Sequence, residues 1–275
     1  MRTKKSMQFI SAILIILSAV SCTPIDKVLE KDEYPVVSPN GKFILYSHTI
    51  YNGTGRDVST TGLYMLSADD KSEKYQLYQD QISISSDFHP FRNEILCNKG
   101  MIYFDDEYNI TNTYFPTDFT LIAPKWSSDG KTILYREYNK IYLIDTLFEN
   151  KRELFHGLDP NWTPDGKIIY YNHDKQGICI TDTLKKEEIK LTNNKNDQYP
   201  SYSPDGSKII WNKMEEIWIM NSDGTNQHFL TDGIHPSWYP DSKNIIYSKS
   251  NYKKYASYYL WKINIETKNK IQLTQ

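Results

Sequence analysis

The chain has 275 residues, 32 basic and 34 acidic side chains, and a formal charge of −2. A nucleic-acid surface needs a concentrated basic patch, and here the lysines alternate with Asp and Glu, so that class of partner is excluded. What remains is a mildly acidic domain with a distinctive N-terminus.

Arg2, Lys4 and Lys5 precede an apolar stretch over residues 9–20 that stops at small residues. Such a stretch is short for a membrane span and reads as the core of a processing segment covering residues 1–21. Ala19-Val20-Ser21-Cys22 resembles the lipobox of bacterial lipoproteins. That resemblance implies that Cys22 is acylated and becomes the new N-terminus. Thr23 does not resemble the aspartate of inner-membrane retention signals, which implies the outer membrane, with the domain on its periplasmic or surface face. Loss of three cations and no anion takes the charge from −2 to −5. Residues 22–33 are too few for a domain and read as a tether.

From residue 34 onward one phrase returns six times. It reads Pro35-Val-Val-Ser-Pro-Asn-Gly41, a worn copy Phe88-His-Pro-Phe-Arg92, and Pro124-Lys-Trp-Ser-Ser-Asp-Gly130. Pro160-Asn-Trp-Thr-Pro-Asp-Gly166, Pro200-Ser-Tyr-Ser-Pro-Asp-Gly206 and Pro236-Ser-Trp-Tyr-Pro-Asp-Ser242 complete the set. The aligned positions Pro39, Pro90, Ser128, Pro164, Pro204 and Pro240 lie 51, 38, 36, 40 and 36 residues apart. Periods of that size with strand-like content mean a propeller or an array, in which no unit buries its faces alone.

Second strands are expected at 42–46, 94–97, 132–135, 167–171, 208–212 and 244–247, and third strands at 63–66, 101–104, 141–144, 178–180, 217–221 and 260–263. In the fifth repeat, Tyr202-Ser203 begins the unit, Asp205-Gly206 supplies the positive φ of a tight hairpin, and His228 to Thr231 forms a fourth strand. Ile168-Ile-Tyr-Tyr171 is apolar throughout, as a sheet covered on both faces requires. The expected fold is therefore all-β, a six-bladed β-propeller of four-stranded antiparallel blades over residues 34–275.

An aromatic or apolar residue stands two places before each turn: Val37, Phe88, Trp126, Trp162, Tyr202 and Trp238. A residue needed once per unit is a packing wedge, since large rings bury about 150 to 250 Å² each. Cys97 and Cys179 fall in strands of different repeats, beyond the roughly 7 Å between Cα atoms that a disulfide allows, and read as buried thiols.

The pattern Pro-x-Trp-Ser-Pro-Asp-Gly, with the later pairs Leu191-Thr192, Leu230-Thr231 and Leu273-Thr274, resembles the WD40-like repeat of the TolB family. The resemblance covers nearly the whole expected mature chain and implies a six-bladed propeller. In that family the propeller serves the Tol–Pal envelope system and follows an α/β domain. Only the tether precedes the first repeat here, so what carries over is a lipid-anchored propeller of the periplasm or outer membrane. Similar blades precede the hydrolase domain of prolyl oligopeptidase relatives and form the body of oligogalacturonate lyases; no hydrolase domain is expected after Leu273-Thr274.

Gly-x-Ser-x-Gly, His-Glu-x-x-His, Cys-x-x-Cys and Walker patterns are all missing, so no catalytic residue is assigned. His48, His89, His156, His173 and His228 have no ligand spacing, so neither a metal nor another cofactor is expected. The residue before each repeat's first proline enters the innermost strand beside the axis. These are Tyr34, Ser85, Ala123, Asp159, Tyr199 and His235. Tyr34, Asp159, Tyr199 and His235 vary in chemistry while the scaffold repeats, and could meet at one channel mouth. The insertion over residues 49–62, with Gly53-Thr-Gly55, is a second binding candidate. No strand exchange is evident that would fasten the ring.

Two functions follow from different classes. The first, preferred for want of catalytic motifs, is a non-enzymatic binding module for an envelope protein or glycan, held to the membrane by its lipid. The second is a polysaccharide lyase or glycoside hydrolase with a carboxylate or histidine at the mouth. Titratable groups converging in a pocket with shifted pKa values would mark the enzyme, and a broad apolar patch the binding module.

Overall fold

Short hairpin turns and two-sided apolar strands make each repeat an antiparallel meander. The computed structural model describes residues 29–51, 58–68, 74–80, 85–116, 120–251 and 257–275. The expected leader, Cys22 and Gly53-Thr-Gly55 lie outside the described residues. The first repeat supplies β1 (Leu29–Val37), β2 (Phe43–Tyr51), β3 (Val58–Ser67) and β4 (Lys74–Asp80). The second holds β5 (Ser86–Phe88), β6 (Glu94–Cys97), β7 (Gly100–Phe104) and β8 (Ile110–Tyr114). The third has β9 (Ile122–Trp126), β10 (Thr132–Glu137), β11 (Lys140–Asp145) and β12 (Arg152–His156), and the fourth β13 (Leu158–Trp162), β14 (Ile168–Asn172), β15 (Gly177–Thr181) and β16 (Glu188–Lys190). The fifth contributes β17 (Asp197–Tyr202), β18 (Lys208–Lys213), β19 (Glu216–Asn221) and β20 (His228–Asp232), and the sixth β21 (Ile234–Trp238), β22 (Asn244–Asn251), β23 (Ser257–Asn264) and β24 (Lys270–Gln272).

Repeats two to five each form a separate four-stranded antiparallel sheet, while the strands of repeats one and six share an eight-stranded sheet. The join is a single parallel step between β1 and β23, at Lys31 opposite Tyr258. Beside it the Glu30 N–H donates to Ser257 Oγ at 3.2 Å. This corrects one expectation. Leu29 to Glu33, expected to be tether, pair with β2 from Tyr51 to Ser47. First and last repeats are also fastened edge to edge, by the extended start of the inner strand rather than by an exchanged outer one. First strands touch in turn, β1 with β5, β5 with β9, β9 with β13, β13 with β17, β17 with β21, and β21 with β1.

The core is correspondingly divided into six clusters, each between neighbouring repeats. Ile210, Ile217 and Leu230 of the fifth repeat pack on Trp238, Ile245 and Ile263 of the sixth. Val37, Ile44 and Leu66 of the first meet Tyr239, Ile246 and Leu260 of the sixth, which closes the series. The wedge aromatics sit in these seams: Phe88, Trp126 and Trp238 are buried, and Trp162 and Tyr202 pack on their clusters half-buried. The Trp238 indole N–H also donates to the Ser201 carbonyl of the preceding repeat at 3.2 Å, and that of Trp162 to Lys125 at 3.4 Å. Cys97 and Cys179 are buried in different seams and form no disulfide.

At the four turns that hold a glycine it alone takes the positive φ, as at Gly130 (66°) and Gly206 (74°), and in the sixth repeat Ser242 (56°) takes that place. The aspartate before it has another task. Ser127 Oγ donates to Asp129 Oδ1 at 2.6 Å and accepts the Thr132 N–H at 3.0 Å, fixing where β10 begins. Thr163 and Ser203 repeat this arrangement with Asp165 and Asp205. In the worn second copy His89 replaces the hydroxyl: its Nδ1 accepts the N–H groups of Phe91 and Arg92, each at 3.0 Å.

Truncation of a seam wedge tests this packing. Trp238, 7% exposed, should lose about 3–5 kcal/mol on Trp238→Ala, with Trp238→Phe much milder. Urea unfolding measures it, and a Trp238→Ala midpoint equal to wild type would contradict a wedge role.

Candidate functional site at the start of the inner strands

Proline lacks the N–H that an inner strand needs for its ladder, so pairing slips at the start of the five repeats that carry one there, while the second repeat, with Ser86 in its place, pairs without a shift. Register shifts fall between Glu33 and Val36, Leu158 and Asn161, Gln198 and Ser201, and Ile234 and Ser237. The residue before the proline absorbs the slip by taking a left-handed backbone. Its φ is 54° at Tyr34, 49° at Ala123, 50° at Asp159, 51° at Tyr199 and 52° at His235. Such a conformation is uncommon for residues with a Cβ and costs on the order of 1 kcal/mol or more. Side chains then meet the N–H groups released at the slip. Ser85 Oγ accepts from Ala123 at 3.1 Å, Asp159 Oδ2 from Tyr199 at 3.3 Å, and Asn212 Oδ1 from His235 at 2.7 Å.

The five pre-proline residues and Ser85, their counterpart in the second repeat, line one pocket of about 190 Å³, to which every repeat contributes. Tyr34, Asp159, Tyr199 and His235, predicted to converge, therefore do so. The Tyr34 ring stacks on His235 with centroids 3.9 Å apart, and Tyr199 meets His235 edge-on at 4.8 Å. The pocket also contains Arg136, Lys125 and Ser86, which the sequence reading did not single out. Arg136 had a signal. It stands three residues after the apolar residue paired with the wedge, where the other repeats place Ser47, Asn98, Tyr171, Asn212 and Ser248, so it is the one charged member of that series.

Burial raises the Asp159 carboxyl to about 6, against the opposing pull of the Arg136 guanidinium and the Tyr199 N–H. Burial lowers His235 to about 3, helped by the charge of Lys31, so its ring is neutral at ordinary pH. Both phenols are pushed up by burial, with Glu33 adding to the effect at Tyr34 and Asp159 at Tyr199. Lys125 stands 3.7 Å from Asp87, whose carboxyl burial pushes up and Lys125 pulls down. The pocket thus combines one proton-exchanging acid, two cations, hydroxyls and a three-ring aromatic wall. Among the described residues no group of three or more His, Cys, Asp or Glu could hold a metal.

An all-β chain whose inner strands touch in a closed series about a common pocket has the architecture of a β-propeller. Residues 110–275 match the family described as the TolB beta propeller domain, and the chain belongs to that family. No curated protein matches it. Among solved structures, a candidate TolB from Agrobacterium tumefaciens is 19% identical over 89% of this chain and 80% of its own, with a TM-score of 0.47. A chain of a nidogen/laminin complex is 15% identical over 76% and 88%, with a TM-score of 0.56. A candidate 6-phosphogluconolactonase from Bacteroides uniformis is 14% identical over 87% and 83%, with a TM-score of 0.52. The last two likenesses are of fold alone.

The raised Asp159 carboxyl has a consequence for stability. Folding binds its proton more tightly than the unfolded chain does, so burying the ionised form opposes folding above pH 6, and this penalty fades as pH falls from about 6 toward 3.8. Asp159→Asn should therefore stabilise the protein by about 3 kcal/mol at pH 8 and by almost nothing at pH 3.5. Urea unfolding at the two pH values checks this, and an equal gain at both would contradict it.

Proposed function

We propose that this protein is a lipid-anchored cell-envelope propeller that binds an envelope protein or glycan at its axial pocket, without catalysing a reaction. In this reading the propeller has six blades, the eight-stranded sheet being two blades joined edge to edge. Cys22 carries the lipid, residues 23–28 are the tether, and the protein sits at the outer membrane. The observation that carries the binding assignment is the meeting of Tyr34, Asp159, Tyr199 and His235 from four repeats, with Arg136 from a fifth, in a single pocket. Membership of the TolB propeller family supports the envelope setting. An exposed aromatic residue next to a lining side chain supports recognition of a partner: Tyr138, whose carbonyl accepts from Arg136, is 88% exposed.

A second reading, an enzyme acting on polysaccharide, is favoured by the Asp159 carboxyl held near 6 beside Arg136. A glycoside hydrolase uses two carboxylates, and Asp159 is the one carboxylate among the described residues that line the pocket. A lyase is the form of the enzyme reading that this geometry leaves open.

In a cross-linked pull-down from solubilised envelope, Asp159→Ala with His235→Ala should keep a folded circular dichroism spectrum and lose the captured partner. Retention of the partner at the wild-type level would remove the pocket as its site. For the anchor, metabolic labelling with a fatty-acid probe should disappear in Cys22→Ser; persistent labelling of that variant would refute acylation there.

A further inference from the structure

Three side-chain atoms of the axial pocket's lining residues are buried without a hydrogen-bond partner among the described residues: Ser86 Oγ, Arg136 Nε and His235 Nδ1. Leaving such a group unsatisfied costs about 1–3 kcal/mol. The three belong to different repeats around one cavity, where a polar ligand could satisfy them, and Ser86 is itself only 2% exposed.

Three backbone donors at the same level are already occupied. The N–H groups of Ala123, Tyr199 and His235 go to Ser85, Asp159 and Asn212. A peptide C-terminus is typically captured by backbone N–H groups, so this pocket is poorly suited to it. Side chains remain, and their charges set the sign of the ligand. Lys125 has Asp87 as its counter-charge, whereas Arg136 makes no ion pair among the described residues and spends one N–H on the Tyr138 carbonyl at 2.8 Å. A guanidinium with donors to spare matches the planar fork of a carboxylate. Asp159 accepts only one N–H, from Tyr199, and its second oxygen calls for a donor such as a hydroxyl. The rings of Tyr34, Tyr199 and His235 offer apolar faces for the C–H surface of a small ring.

A sugar acid offers carboxylate, neighbouring hydroxyls and a compact C–H face together. We propose that the axial pocket recognises a uronate, a sugar ring bearing a carboxylate, with Arg136 and Lys125 toward the carboxylate, Asp159 and Ser86 toward ring hydroxyls, and the aromatic wall against the ring. This rests on the binding reading above and narrows it to acidic glycans.

Calorimetric titration of the purified protein with trigalacturonate and triglucuronate, the methyl ester of each, and tetra-alanine tests the proposal. One acid form should bind at least about tenfold tighter than its uncharged ester, the scale of a lost charged hydrogen bond, and tetra-alanine should not bind. Arg136→Gln should remove the preference for acid over ester, and Arg136→Lys should restore part of it. The acid–ester comparison on wild type stands even if Arg136→Gln fails to fold. Equal binding of acid and ester, binding of tetra-alanine alone, or no binding of either uronide overturns the proposal. If uronides fail while the pull-down still loses its partner in the Asp159→Ala, His235→Ala variant, the pocket reading survives and only the ligand class is wrong.

Discussion

In five of the six repeats the inner strand starts with a left-handed residue bearing a Cβ directly before a proline, and both site and scaffold follow from that step. The proline cannot donate to the ladder, so the strand slips, and the residue before it takes a φ near 50° in five of the six repeats. At about 1–3 kcal/mol for each sparsely populated conformation, the distortion persists only because surrounding structure over-determines it. Here that structure is the set of seams on either side of every strand, where residues such as Ile210, Ile217 and Trp238 are fully or nearly fully buried. Ala123 takes the same backbone as Tyr34 and His235, so the step belongs to the scaffold and the side chain it presents is free to differ. Function can then be written at one position per repeat without altering the packing.

Closure of the series matters for the same reason. A sheet apolar on both faces has to be covered twice, and the first and last repeats would each leave one face bare. The contact of Tyr239, Ile246 and Leu260 with Val37, Ile44 and Leu66 covers them. The parallel step at Lys31 and Tyr258 adds a backbone link at the same junction. With no seam open, the six inner starts are held against one another, and a shared pocket becomes possible at their meeting point.

Much of this was legible because it repeats. The wedge position and the order of strands recur six times and the hairpin glycine four, so chance similarity is averaged out and each copy corrects its neighbours. Position before the first proline likewise pointed to Tyr34, Asp159, Tyr199 and His235, since their place on the axis is set by the repeat. Arg136 and Ser86 were not found because they occur once, and at Arg136 a slip between β9 and β10 also decides which way the strand faces the axis. Strand alternation read through a slip gives the wrong side. The fastening of β1 to β23 was hidden for another reason: Leu29 to Glu33 are polar apart from their first residue, and their pairing is won by backbone bonds to β2 that leave no apolar pattern.

The direction of the chain relates the pocket to the proposed anchor. Inner strands run from the pocket toward the turn end, where Val37, Pro39, Phe88, Trp126, Trp238 and Pro240 line a mainly apolar cavity of a different character. Leu29 to Glu33 precede Tyr34, so β1 begins at the pocket end. From Cys22 to Leu29 the chain can reach at most about 25 Å when fully extended. A lipid on Cys22 would therefore hold the pocket mouth, and not the apolar end, close to the bilayer. Ligands would enter from the gap between protein and membrane, where a tether this short limits how far the ring can turn away.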